Sequence, residues 1–344
     1  MRGGTSVIVS LWLVLGAAAC VPAPRLSGPP TDHFTDGSFR NLARFDPPGI
    51  TDLLEWAVTG DAVTWPEWVE IPDARPPPAR VTQGLRVTFV NHATVLVQMS
   101  GVNVLTDPVW SERVGPAFWI GPRRHKDPGI RFEDLPPIDA IVISHNHYDH
   151  LDGPTIARVV ERDMPVVLAG LGTEKLLAEL GIGQARALDL DWWQSRRVKD
   201  VTVTFTPAQH WSTRTFTDRF ATLWGSFFVS DGKHSVYFAG DTGMGPHFSM
   251  IRERLGPPTV ALLPIGAYRP RWFMRPQHID PIEAVAAHRA LGAARSVGIH
   301  WGTFDLADEG MDEPAEDLAR ASAAAGLAPG AFITLENGGS AFVP

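Results

Sequence analysis

Residues 145–150 place three histidines and an aspartate (His145, His147, Asp149 and His150) within six positions, directly after the apolar run Ile141-Val142-Ile143. Such a run reads as a short buried strand. A fold that buries it must bring its polar end to a site able to use four ligand-type side chains. Imidazole nitrogen and carboxylate oxygen suit zinc and its first-row neighbours. Residues two apart on an extended end point the same way, so His145 and His147 can share one ion. The chain then turns, and Asp149 with His150 can face a second. Surface histidines on a loop are the plain alternative, and this density argues against them.

Two ions need more ligands than one loop offers. His210 follows an apolar run at 201–206, Asp241 follows one at 236–239 within Gly240-Asp241-Thr242-Gly243, and His300 follows one at 297–299. Taken singly, each reads equally well as a cap or turn residue. Together they make seven ligand residues, enough for two cations that share a carboxylate and a water. Purely structural zinc sites are normally closed and cysteine-rich. This chain has one cysteine, so a hydrolytic centre is the better reading.

With 344 residues, 44% hydrophobic, the chain can bury a substantial core. Thirty prolines and 32 glycines imply many turns and short elements, as in a sheet-rich α/β (α+β) chain. The formal charge of −8 speaks against a nucleic-acid partner. Apolar runs predict strands at 85–90, 94–99, 102–105, 139–144, 166–168, 201–206, 222–229, 236–239, 260–263 and 297–299. Helices are expected at 51–58, 154–162, 173–180, 246–255 and 281–291. Asp280-Pro281-Ile282-Glu283 is a capping-box start, which fixes His278 on a rigid approach to a helix.

Arg2, the apolar run 7–15 and the small residues Gly16 to Ala19 precede Cys20. This pattern predicts a lipoprotein-type signal peptide over residues 1–19 with Cys20 as the lipidated residue. The expected location is the bacterial cell envelope, on the periplasmic side and at the outer membrane, with the membrane surface reached through the lipid anchor. Secretion or release into the periplasm is the alternative. Residues 20–80 read as a tether, flexible over 21–35, followed by an N-terminal extension, and 81–344 as the hydrolase domain.

The His-x-His-x-Asp-His run, the later histidines and the Gly-Asp-Thr-Gly turn resemble the metallo-β-lactamase fold. Longer words narrow the likeness: Leu105-Thr106-Asp107-Pro108, Gln209-His210-Trp211, Pro264-Ile265-Gly266-Ala267-Tyr268, Gln277-His278-Ile279-Asp280-Pro281 and His300-Trp301-Gly302-Thr303-Phe304. These resemble the N-acylphosphatidylethanolamine-hydrolysing phospholipase D family. The resemblance implies a four-layer αββα sandwich carrying two Zn2+ ions, with iron or manganese as other possible occupants. It implies that His145, His147 and His210 bind one ion, that Asp149, His150 and His300 bind the other, and that Asp241 bridges them. It implies that His278 helps hold substrate, and Tyr268, near it in sequence, is a candidate for the same pocket. Asp149 or Asp241 would accept the nucleophile's proton. The expected reaction cleaves a phospholipid phosphodiester to phosphatidic acid and an N-acylethanolamine. Hydrolysis of another ester, lactone or amide is the first alternative, and a non-catalytic metal-binding envelope lipoprotein is the second.

Asp107 and His92, each ending an apolar run, are candidates for orienting ligand imidazoles. The segment 268–275 mixes three arginines with three aromatics, as an interfacial loop or a core-packed loop would. Arg123-Arg124-His125-Lys126 reads as a solvated turn.

Overall fold

The computed structural model describes residues 21–45, 47–71, 76–183 and 186–344. The expected signal peptide and Cys20 lie outside the described residues. The described chain begins with a small hairpin, β1 (Phe34–Thr35) and β2 (Ser38–Phe39), and then helix α1 (Ile50–Thr59). Parts of the segment expected as a tether, 21–35, contact the domain. Phe34 and Phe39 enter the main core, Ala23 is buried, and the Ala23 backbone N–H donates to Asp218 Oδ2 at 2.6 Å.

Two seven-stranded sheets follow. The first has the order β16 (Ser340–Val343), β3 (Leu85–Asn91), β4 (Thr94–Met99), β5 (Val102–Thr106), β6 (Ala140–Ile143), β7 (Val166–Gly170), β8 (Arg186–Leu190). The second has the order β15 (Phe332–Ile333), β14 (Arg295–Ile299), β13 (Val260–Pro264), β12 (Ser235–Phe238), β11 (Ser226–Ser230), β10 (Val201–Thr206), β9 (Ser195–Val198). The period of two along a strand explains why the central strands read as unbroken apolar runs. Ala140 and Val142 of β6 face the second sheet, while Ile141 and Ile143 face the opposite way. That outer face is covered by α2 (Gly153–Asp163) and α3 (Thr173–Glu179) through Ile156, Val159, Leu176 and Leu177. The second sheet is covered by α4 (His247–Leu255), α6 (Pro281–Leu291) and α7 (Glu313–Ala324) through Phe248, Ile251, Ala284, Leu291 and Leu318. A short helix, α5 (Arg271–Met274), precedes α6. The result is the αββα layering.

Three expectations need correction. The run 222–229 is strand only from Ser226. Leu223 N–H and Gly225 N–H donate to Leu171 O and Ser144 O, so 222–225 ties strand ends of the first sheet instead of continuing β11. Arg123-Arg124-His125-Lys126 is not a solvated turn, because Arg124 and Lys126 are buried. Arg124 donates to the Ser111 and Val109 carbonyls, and its guanidinium lies over Phe304. In 268–275 the arginines are paired: Arg271 with Glu283 and Asp280, Arg275 with Glu283, and Arg269 with Glu313.

Candidate metal centre

The carboxyl ends of β5, β6, β10, β12 and β14 meet at one edge of the sandwich, where open sheets commonly place their sites. Asp107 follows β5, residues 145–150 follow β6, His210 follows β10, Asp241 follows β12, and His300 follows β14. His278 arrives on the approach to α6, whose capping box is formed: Asp280 accepts from Glu283 N–H, and Glu283 reaches back to Asp280 N–H. Backbone conformation is forced here. His92, Asp107 and His300 all have positive φ, an uncommon state for such side chains and one that clusters at functional sites. Gly240, with φ +59, is required by close approach, since a Cβ there would lie 2.4 Å from Ser144 Cβ. That contact lets β12 pass under the loop and deliver Asp241.

The seven proposed ligands converge. His145 Nε2 lies 2.9 Å from His147 Nδ1, which lies 3.3 Å from His210 Nε2. Asp149 Oδ2 lies 3.3 Å from both His150 Nε2 and His300 Nε2. Asp241 Oδ2 sits between the two groups, 3.1 Å from His150 and His300 Nε2, 3.9 Å from His145 Nε2 and 4.0 Å from His210 Nε2. His278 Nδ1 is 3.9 Å from the same oxygen.

The tautomers fit a pair of cations. Ser144 Oγ gives its proton to Asp107 Oδ2 at 2.5 Å, so it accepts from His145 Nδ1–H at 2.9 Å. His145 Nε2 therefore keeps a free lone pair. His150 Nδ1–H donates to Asp107 Oδ2 at 2.6 Å, and His210 Nδ1–H to Gln277 O at 3.0 Å. Both direct Nε2 inward, where a bound cation can take the place of a proton. The buried His150 Nε2, His300 Nε2 and Asp241 Oδ1 have no hydrogen-bond partner, which is costly unless something else binds them. Nitrogen and carboxylate donors in this arrangement fit first-row cations. His145, His147 and His210 would hold one, Asp149, His150 and His300 the other, and Asp241 both.

The electrostatics divide the same way. Burial, with neighbouring imidazoles, drives His145 well below its ordinary value. Burial likewise lowers His147 to about 4 and His210 to about 3, against the pull of nearby carboxylates. These three are neutral, as ligation requires. In the other group burial disfavours charge on Asp149 and Asp241, yet His150, itself raised well above its ordinary value by these carboxylates against burial, outweighs it and holds both well below the carboxylate range. Burial also opposes charge on His300, but Asp241 and then Asp149 push it up to about 9. Two buried carboxylates thus demand positive charge between them.

The orienting side chains are visible. Asp107, fully buried, also accepts from Ser144 N–H at 2.7 Å, so one carboxylate sets a ligand in each group. His92 Nε2–H donates to Asp149 Oδ2 at 3.0 Å, with its ring 4.0 Å from that of His300. Tyr268 is not brought to the cluster, because its hydroxyl donates to Asp317 on α7. Arg214 was not foreseen. Its Nη1 donates to the Asn146 and Leu151 carbonyls, both at 3.1 Å, and its guanidinium lies 3.9 Å from the Tyr148 ring centre. No motif surrounds it that would have marked it.

Residues 102–301 match the beta-lactamase superfamily domain. The chain is 39% identical over 266 residues to N-acyl-phosphatidylethanolamine-hydrolyzing phospholipase D 1 of Caenorhabditis elegans, covering 74% of this chain and 75% of that protein. It is 37% identical over 342 residues to an uncharacterized protein of Mycobacterium tuberculosis, covering 93% and 89%. Among solved structures, the metallo hydrolase Igni18 of Ignicoccus hospitalis aligns with a TM-score of 0.57 at 21% identity, over 76% of this chain and 99% of that one, which bears on the fold alone. The chain belongs to the beta-lactamase superfamily, as a metal-dependent hydrolase of the metallo-β-lactamase fold.

Proposed function

We propose that this superfamily member is a phospholipase D-type phosphodiesterase that cleaves N-acylphosphatidylethanolamine-like phospholipids to phosphatidic acid and an N-acylethanolamine. One observation carries the reading: a single buried oxygen, Asp241 Oδ2, lies within 4.0 Å of four ligand imidazoles drawn from both sheets. The relative named for N-acylphosphatidylethanolamine hydrolysis supports the choice of bond. Two bound cations, zinc or else iron or manganese, supply Lewis acidity for water activation and for the charge that builds on phosphate.

The chain's own groups then divide the work. In the hydrolysis the water oxygen bonds to phosphorus, the bond from phosphorus to the ethanolamine oxygen breaks, and a proton passes from water to the departing alkoxide. Asp149 has a side chain 15% exposed, against 2% for Asp241, and is the carboxylate that water can reach. It takes the proton and returns it. His278 is lowered to about 3 by burial, against the pull of Asp241, so near neutral pH it has no proton to release as an acid. It serves as a neutral hydrogen-bond partner for a phosphate oxygen.

Exposed apolar residues on the surface suit a lipid substrate. Ile50, Leu54 and Val58 recur every four residues on α1 and are exposed, so one stripe of that helix faces outward and is apolar. Its other face packs Trp56 on Phe273 of α5, whose neighbour Trp272 is half-exposed. Phe118 and Trp119 are exposed as well. Apolar exposure of this kind marks an interaction surface. On this reading residues 1–19 act as a leader, and Cys20 carries the lipid that holds the enzyme to the envelope membrane.

The test is a substrate panel with purified, metal-loaded protein. Release of N-acylethanolamine from vesicles, with turnover of bis(p-nitrophenyl) phosphate, supports the proposal. Hydrolysis of a homoserine lactone or nitrocefin without phosphodiester turnover overturns it.

A further inference from the structure

The side chain of Asn41 embraces the main chain of a proposed ligand. Its Nδ2 donates to His210 O at 2.7 Å, and its Oδ1 accepts from His210 N–H at 3.0 Å. Trp224 Nε1–H also donates to that Oδ1 at 3.0 Å, so two donors converge there and fix which way round the amide lies. Both backbone polar groups of His210 are thereby satisfied from outside the sheet that carries it.

The same N-terminal segment is also linked, through the turn at 213–218, to the loop that carries His145 and His147. Ala23 N–H binds Asp218 Oδ2, and Asp218 Oδ1 gathers Thr213 Oγ1–H, Arg214 N–H and Thr215 N–H. That turn holds Arg214 against the carbonyl of Asn146, between His145 and His147, and that of Leu151, directly after the ligand run. Between the two attachments the segment is pinned by buried Phe34 and Phe39, by Phe39 N–H to Phe220 O, and by Arg25 to Ser38 and to the Thr217 carbonyl.

We propose that residues 21–41 form a strap that positions the His145, His147 and His210 half of the metal centre, with Asn41 as the positioning residue for His210. The strap lies outside the matched superfamily domain, residues 102–301. The inference rests on the metal-centre reading and deepens it. Asn41 sets the backbone of His210, while Gln277 O sets its ring, so losing Asn41 leaves the tautomer intact and loosens the position.

The test uses the full-length protein as Asn41→Ala, which leaves Trp224 Nε1–H a second acceptor in Ala208 O at 3.1 Å. Cobalt(II) is titrated into metal-free protein and followed by its visible absorption bands, beside the melting temperature of the metal-free form. One equivalent is expected to bind about 10–100-fold more weakly, the scale of supporting partners around metal ligands, while the other binds as in wild type. Asn41→Asp keeps the oxygen that accepts from His210 N–H and Trp224, loses the donation to His210 O, and should fall between. Asn337→Ala removes an amide that donates to Asp127 O and serves as the control for a lost structural hydrogen bond. Wild-type affinity for both equivalents in Asn41→Ala overturns the proposal. So does parallel weakening of both with a lowered melting temperature, or an equal effect in Asn337→Ala. If wild type itself bound no cobalt, the metal-centre reading would fail first, which separates the two claims.

Discussion

The two halves of the centre are built by different means. The β6 side supplies His145, His147, Asp149 and His150 from one loop, locked as a unit by Asp107 through Ser144 and His150. The other sheet supplies His210, Asp241, His278 and His300 singly, each at its own element end and each held by its own device: Asn41 for His210, the close approach of Gly240 for Asp241, the capping box behind His278, and the His92 carbonyl that accepts from His300 N–H. A unit held by one shared carboxylate should fail together, whereas separately propped residues should fail one at a time.

The largest effect is expected for His145→Ala. It removes a ligand from the locked unit, and turnover should drop beyond the roughly 100-fold that supporting partners typically cost. Full activity would break the assignment of the loop. Asp107→Ala comes next. It leaves His145 and His150 unoriented and Ser144 N–H buried without an acceptor, so both metal equivalents should weaken by roughly 10–100-fold. Isothermal titration that showed only one equivalent affected would contradict the shared lock. On the dispersed side, His278→Ala should keep its full metal content and lose about 10-fold in turnover, the scale of one hydrogen bond. Elemental analysis beside steady-state kinetics separates that outcome from loss of a ligand.

The smallest effect is a pH difference in metal-free protein. His147 at about 4 and His210 at about 3 lie below the unfolded value, so the unfolded chain takes up protons first and their effect is to lower stability as pH falls below about 6.5. His300 at about 9 lies above it, so its stabilising contribution is complete below about 6.5 and is lost as pH rises through about 9. Histidine NMR titration checks both. His300 should still be protonated at neutral pH, and His147 and His210 should be neutral. Three ordinary titrations near 6.5 would contradict the burial argument.

The same contrast explains what could be read from sequence. The β6 loop is a local pattern, an apolar run followed by crowded ligands, and the central strands carry continuous apolar runs because both faces are covered. The capping box at Asp280 is equally local. His210, Asp241 and His300 showed only as polar residues after strands, a signal that gained meaning through their number. What escaped is long-range or depends on direction. β8 and β9 are edge strands in which Arg186 and Asp189, or Ser195, Arg196 and Arg197, interrupt the apolar residues, so no apolar run marks them. Arg124 looks solvated beside Arg123 and Lys126, and only the fold reveals the carbonyls that receive it. Tyr268 is close to His278 in sequence, but its hydroxyl points to α7. Asn41 is one polar residue in an irregular segment, and its partner lies 169 positions away.

The most direct measurement is metal content per chain by elemental analysis after reconstitution and gel filtration, in wild type and in Asp241→Asn. A carboxylate shared between two groups of imidazoles predicts about two equivalents in wild type and fewer than two in the variant. A wild type that retains one equivalent or none, or an Asp241→Asn protein that keeps two, would contradict a centre joined at that oxygen.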